Sequence, residues 1–229
     1  MFLSTTIDCL YALAPSIDEQ TTAFVPNVLA RAAMESAAQA WWMLEPGIGA
    51  RRRVIRSVLI HANSARKLRE TARKSNPSVP VTHYGEDPDT VRSYAHSIGL
   101  SYVCNDNGVE AEAEKLPGYT QRAKELGEAT RMVAAYNVYS GAAHAEWYAV
   151  AQGWRPVADG AASTTPWTRR PDREAVWAAA LASAGFAVVP VSRALTLLGL
   201  NARLAELNNH LIHVSQLERQ MQLPTDWYL

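Results

Sequence analysis

The sequence predicts an all-α protein, built as a single-domain bundle of six or more helices. Apolar residues make up 48% of the 229 positions and aromatic residues only 8%, which is too few for the core of a large sheet. Apolar residues also recur at three- and four-residue steps over long stretches. Because nothing in the chain has the composition of a linker, we expect 1–229 to fold as one domain.

Four helices are predicted in the first half of the chain, each followed by a helix-breaking residue. They cover 4–14, 26–45, 50–74 and 88–98. Their stops are Pro15, Pro46-Gly47, Asn76-Pro77 and Gly99. The segment around the fourth helix is irregular, with a turn over 105–108.

The second half predicts three more helices, over 120–151, 172–198 and 201–221. A long loop rich in Gly, Ser, Thr and Pro separates the first two, near 152–171. The helix over 172–198 is apolar nearly all round and contains Pro190, so we expect it to be central and bent. Its residues Ala180, Ala184 and Val188 are expected to be nearly fully buried.

Two helices carry polar residues at four-residue spacing, which places them on one face of each helix. These residues are Arg31 and Glu35 on one helix and Tyr136, Ser140 and His144 on the other. If the two faces pack together, with His144 within reach of Arg31 or Glu35, the groups suffice for general acid–base chemistry. The alternative is that they form interhelical hydrogen bonds that fix the register of the bundle.

The segments Arg31-Ala-Ala-Met-Glu35 and Tyr136-Asn-Val-Tyr-Ser140-Gly-Ala-Ala-His144 resemble those of helical bacterial proteins that look related to the HEPN superfamily. The resemblance covers about residues 26–150, with 172–221 as C-terminal helices. It implies a helical bundle and, for many members, a metal-independent ribonuclease activity in toxin or phage-defence systems. The nearest arginine before His144 is Arg131, thirteen positions away, so the short Arg-to-His motif of HEPN nucleases is absent.

An RNA-cleaving protein of this kind would use its site residues in distinct roles. His144 would be the acid or base, and Arg31 would stabilise developing negative charge. Glu35 would orient one of these two groups, while Ser140 and Tyr136 would position the phosphate or the imidazole.

Charge is strongly segregated although the chain is neutral overall. Residues 51–74 hold nine basic residues against Glu70, whereas residues 76–114 hold seven acids against Arg92. On the predicted third helix, four cations share one exposed face that could follow RNA phosphates: Arg52, Arg56, Lys67 and Lys74. The alternative is that this face is solvated or pairs with the chain's own acidic segment.

Several classes of protein are not indicated. Cys9 and Cys104 have no partner spacing for zinc or a disulfide framework, and no phosphate-binding loop or dinucleotide fingerprint occurs. Glu206, His210 and His213 share a helix face but lack the ExxH pairs of a bundle metal site, so no metal and no cofactor are expected. The uncharged stretch 175–192 is too weakly hydrophobic to predict a membrane span. A cytoplasmic location follows.

Two functions therefore remain open, and with them the question of whether the chain is an enzyme. The first is a HEPN-like ribonuclease or RNA-binding protein whose partner is RNA. The second is a non-catalytic helical interaction or scaffold protein, which binds another protein or forms a homodimer.

Overall fold

The computed structural model describes residues 1–18, 25–75, 88–105, 108–144, 154–156, 167–169 and 173–220. These ranges contain eight helices and five short strands, so the predicted all-α class is confirmed. The helices are α1 (Phe2–Asp18), α2 (Val25–Leu44), α3 (Ala50–Ser75), α4 (Pro88–Ser97), α5 (Tyr119–Thr130), α6 (Val133–Ala143), α7 (Arg173–Leu197) and α8 (Asn201–Gln220). The strands are β1 (Tyr102–Asn105), β2 (Gly108–Ala111), β3 (Glu114–Lys115), β4 (Trp154–Pro156) and β5 (Trp167–Arg169).

The chain divides into two compact units. The helical unit consists of Met1–Leu44 and Tyr119–Leu229, and the inserted unit consists of Glu45–Gly118. Compact units of this kind occur within one domain as well as between two, so the single domain over 1–229 stays a prediction.

The core of the helical unit surrounds α2, which packs against α1, α5, α6 and α7. Small residues dominate where α2 meets its neighbours, because Ala33, Ala37 and Ala38 are buried on α2 and Ala179 and Ala182 on α7. Small side chains let helix backbones approach closely. Larger apolar side chains fill the remaining space: Leu13, Met34, Leu126, Met132, Tyr139 and Phe186.

Helix α7 buries mainly one face, although its sequence is apolar nearly all round. A stripe of buried residues recurs at three- and four-residue steps: Val176, Ala179, Ser183, Phe186 and Pro190. Ala180, Ala184 and Val188 are half-buried, so the expectation that they are nearly fully buried is wrong. The buried stripe is formed by other residues of α7, because those residues face α2.

One helix among the described residues is long and apolar enough to cross a membrane. It is the Val176–Leu197 part of α7, with a mean hydropathy of 1.5. A core helix meets the same test of length and composition. Residues of this stretch pack against α2, as those of a core helix do.

The predicted helix over 120–151 is broken in two, because Arg131 adopts a left-handed conformation with φ of 60°. The amide of Arg131 donates to the carbonyl of Glu128 at 3.3 Å, and that of Met132 donates to Gly127 at 2.7 Å. These two bonds form a Schellman C-cap, which ends α5 without a glycine. The predicted positions 145–151 lie outside the described residues.

Helix α1 continues through Pro15, which was expected to end it, and reaches Asp18. A proline inside a helix leaves the carbonyl four residues before it without an amide partner. Here that residue is Tyr11, which is 77% exposed, so water can take the place of the missing donor.

The strands form two small antiparallel sheets. In the first, Asn105 pairs with Gly108 where the chain turns from β1 to β2, as predicted, and Ala111 pairs with Glu114. Glu112 and Ala113 both have positive φ, as a two-residue type I′ turn requires. In the second sheet, β4 pairs with β5, so part of the predicted loop over 152–171 is a strand pair; the rest of that loop lies outside the described residues.

Candidate functional site

The polar faces of α2 and α6 meet at Glu35. Helices α2 and α6 are packed neighbours, as predicted. Arg31 Nε donates to Glu35 Oε1 at 2.8 Å, and the Tyr136 hydroxyl donates to the same oxygen at 3.2 Å. The structure therefore brings three of the five predicted catalytic residues together through one carboxylate oxygen.

Burial and hydrogen bonding shift the pKa values of Arg31 and Tyr136 in opposite directions. Burial lowers the pKa of Arg31, but the hydrogen bond and the charge of Glu35 outweigh it and the pKa is raised. Burial raises the pKa of Tyr136, while a hydrogen bond with the Thr120 side chain opposes the shift. At neutral pH Arg31 is therefore a cation and Tyr136 a neutral donor.

The other two predicted catalytic residues do not join this group. Ser140 is half-buried, and the described residues give its side chain no hydrogen bond to Arg31, Glu35 or Tyr136. His144 follows the last residue of α6, and its amide donates to the Ser140 carbonyl at 3.1 Å. His144 is exposed, and it forms no hydrogen bond or ion pair with Arg31 or Glu35, whose described partners are each other and Tyr136. The expected interaction of His144 with either residue is therefore not formed.

A second arginine of the helical unit lies at the start of α5 and was not predicted. Arg122 is 2% exposed, and its Nε and Nη1 have no hydrogen-bond partner. The guanidinium lies over the Tyr119 ring at 4.8 Å and over the Trp42 ring at 5.8 Å. Burial lowers the pKa of Arg122, although Tyr119, Glu125 and Glu35 oppose the shift.

The burial of Arg122 is costly for the fold. Each unsatisfied buried donor costs about 1 to 3 kcal/mol, and the cation–π contacts return about 0.5 to 2 kcal/mol. The sequence did carry a signal for this residue, since Arg122 stands four positions before the apolar Leu126 and so shares its face of the helix. The burial of Arg122 was not predicted because arginine usually lies on the surface.

Among its described residues, the inserted unit also buries an arginine, Arg56, and this arginine is paired. Arg56 is 3% exposed; its Nη1 contacts Glu45 Oε2 at 2.6 Å and its Nε donates to Glu114 Oε1 at 2.8 Å. The expectation that Arg56 lies on an exposed cationic face is therefore wrong. The position faces the strands because it follows Ile55 and precedes Val58 and Leu59 on the buried side of α3.

The start of α3 pairs with the chain's own acids, as the alternative interpretation of its charge expected. Arg52 Nε donates to Glu114 Oε2 at 3.0 Å, and Arg51 Nη2 lies 3.5 Å from Glu112 Oε2. The β2–β3 turn holds Glu112 beside the first turn of α3. Lys67 and Lys74, the remaining predicted nucleic-acid contacts, are exposed farther along α3.

The histidines of the last helix lie apart from these groups. Glu206, His210 and His213 are all exposed on α8, and Glu206 is paired with Arg203 at 2.7 Å. No group of three His, Cys, Asp or Glu within the described ranges is close enough to hold a metal ion.

Comparisons with protein families, with curated proteins and with solved structures find no match to this chain.

Proposed function

We propose that the chain is a non-catalytic helical interaction protein that associates with a second copy of itself through α8. The apolar seam of α8 carries this proposal. Four- and three-residue steps alternate along the seam, which consists of Leu200, Leu204, Leu207, Leu211 and Val214. This is the heptad spacing of a two-stranded coiled coil.

The seam is poorly covered by the chain itself. Leu204, Leu207 and Leu211 are half-buried, and every other α8 side chain that the structure describes is exposed. Among the described elements, α7 is the main contact of α8. A helix of 20 residues gains most of its stability from packing an apolar face, so α8 benefits from a partner helix that covers the seam.

A second copy of α8 suits this seam because no like charges oppose it. In a parallel pair, the residues that flank the seam would meet as Arg203 with Asn208 and His210 with Ser215. Neither pair brings two cations or two anions together at neutral pH. The exposed leucines beside the turn before α8, Leu197 and Leu198, extend the apolar surface.

The polar residues support a structural role rather than a catalytic one. Glu35 is engaged by Arg31 and Tyr136, while His144 is exposed and is not among the hydrogen-bond partners of this group. Such pairing fixes the register of α2 against α6, as the structural alternative expected. The short Arg-to-His spacing of HEPN nucleases is absent as well.

Sedimentation equilibrium on the full chain and two matched variants tests the proposal. We expect the wild type to be a dimer at about 100 μM, corresponding to a Kd in the micromolar range. Leu207→Asp places a charge in the seam and should give a monomer, whereas Ala205→Asp places the same charge on the exposed face and should not. A wild type that stays monomeric, or equal effects of both variants, would contradict the proposal.

RNA binding or cleavage of the HEPN type is the second candidate. The observation that favours it is that Arg52, Lys67 and Lys74 are all exposed on α3. Its test is the affinity for a single-stranded RNA at rising salt concentrations, because release of counterions makes phosphate binding fall steeply. Lys67→Ala with Lys74→Ala should weaken such binding, and Arg203→Ala, on another helix, should leave it unchanged.

A further inference from the structure

Two arginines that are buried within the described part of the chain differ in a way that packing alone does not explain. Arg56 reaches two carboxylates, whereas Arg122 reaches none among the described residues, and its Nε and Nη1 lack any hydrogen bond. A buried cation without a partner is unfavourable for folding. Such groups are found where a charge is needed for binding or catalysis.

The aromatic contacts of Arg122 leave its donors unused. Tyr119 and Trp42 interact with the guanidinium through their ring faces. The N–H groups of a guanidinium lie in its own plane and form a rigid fork. Ring contacts therefore hold the cation in place without satisfying Nε and Nη1, which lie on different edges of the guanidinium and can each donate to an oxygen of a carboxylate or phosphate.

Two carboxylates whose charge acts on Arg122, those of Glu35 and Glu125, are engaged elsewhere. Glu35 Oε1 accepts hydrogen bonds from Arg31 and Tyr136. Glu125 Oε1 accepts one from Gln121 Nε2 at 2.8 Å. Both carboxylates act on Arg122 through their charge, yet neither supplies an oxygen to it.

The position of Arg122 in its helix adds to the attraction for an anion. It is the fourth residue of α5, which begins at Tyr119. The first amides of an α-helix have no partner within the helix, and the helix dipole favours negative charge there. The guanidinium and the start of the helix thus both favour the binding of an anion.

We propose that Arg122 is the binding residue for the oxyanion group, phosphate or carboxylate, of a small ligand. Nε and Nη1 would each donate to an oxygen of the ligand, and Trp42 and Tyr119 would keep the guanidinium in place. This proposal does not depend on the self-association of α8.

Thermal melts and calorimetric titrations of the full chain test it with four probes: inorganic phosphate, phenyl phosphate, acetate and benzoate. Each is compared with chloride at the same ionic strength. We expect at least one to raise the melting temperature of the wild type, because a ligand that binds only the folded state stabilises it. The phosphate and carboxylate arms distinguish the two oxyanions.

Three variants assign the effect to Arg122. Arg122→Met should abolish the ligand-induced shift and melt higher than the wild type without ligand, because it removes an unpaired buried charge. Arg122→Lys keeps the charge without the fork and should bind about tenfold more weakly. Arg203→Met, at an exposed arginine of the same unit, should behave as the wild type does.

Several outcomes would overturn the proposal. One is the absence of any shift with all four probes, and another is an equal shift in Arg122→Met. A ligand-free Arg122→Met protein that melts well below the wild type would make Arg122 a structural cation. If Arg122→Met does not fold, unchanged binding by Arg122→Lys would exclude the site.

Discussion

Tyr136 and Glu35 are 101 residues apart in sequence, yet the Tyr136 hydroxyl donates to Glu35 Oε1 at 3.2 Å. The bond joins α6 to α2 across the core of the helical unit. Arg31 holds the same oxygen from within α2. One carboxylate thus fixes the relative positions of two helices that the inserted unit separates in sequence.

Removing that bond should destabilise the helical unit modestly. Tyr136→Phe deletes the hydroxyl and keeps the ring, so we expect the free energy of unfolding to fall by about 1 kcal/mol. Tyr11→Phe, at an exposed position of α1, is the matched control and should change little. Chemical denaturation of the three proteins measures both values, and equal stabilities would show that the bond contributes nothing.

The paired arginine of the inserted unit should be far more sensitive. Arg56→Met leaves Glu45 and Glu114 without their buried cation, and we expect a loss of about 3 kcal/mol in the free energy of unfolding. Arg52→Met removes an exposed partner of Glu114 and should cost much less, because solvent screens an exposed ion pair. Urea denaturation followed by circular dichroism measures the free energy of unfolding of both variants. Equal losses in the two variants would contradict this order.

Acid should weaken the inserted unit through Glu112. This carboxylate accepts the Ser101 amide at 2.8 Å and faces Arg51, and both contacts lower its pKa. A carboxyl group whose pKa is lower in the folded than in the unfolded protein stabilises the folded state at any pH above its unfolded-state pKa. This stabilisation is lost as the pH falls through the folded-state pKa. Glu112→Gln should therefore flatten the dependence of the melting temperature on pH below about pH 5, whereas Glu128→Gln should not.

The exposed imidazole gives a prediction that separates the two functions. We expect His144→Ala to melt within a degree or so of the wild type, since surface substitutions change stability by about 0.5 kcal/mol or less. We also expect no difference between the two proteins when they are incubated with total RNA. RNA cleavage by the wild type that is lost in His144→Ala would instead establish the ribonuclease function.

Much of the helical architecture could be predicted from local signals. Breakers after α2, α3 and α4 lie close to the observed ends, and Gly99 forms the expected left-handed cap with φ of 70°. Periodicity does not identify the buried face of α1: the four-residue spacing of Ile7 and Tyr11 is typical of an apolar face, yet both residues are exposed, whereas Thr6 is buried. Local spacing defines stripes on a helix, but neighbouring helices decide which stripe faces the core.

The candidate site was predicted only in part, for reasons of distance and environment. Arg31, Glu35 and Tyr136 meet because their spacing and their helices' packing agree. His144 stands eight residues beyond Tyr136, which corresponds to about 12 Å along a helix axis and exceeds the reach of Glu35. Arg122 escaped prediction because its lack of a partner is a property of the folded core.

The discontinuity of the helical unit bears on the order of events during synthesis. Helices α1 and α2 leave the ribosome before the inserted unit, but α5, α6 and α7, which cover α2, come after it. The ribosome adds about 5 to 20 residues per second, so synthesis of residues 45–118 delays the appearance of those helices by roughly 4 to 15 s. During that interval the alanine-rich face of α2 has only α1 to cover it, and the nascent chain is exposed to mispairing and to chaperones.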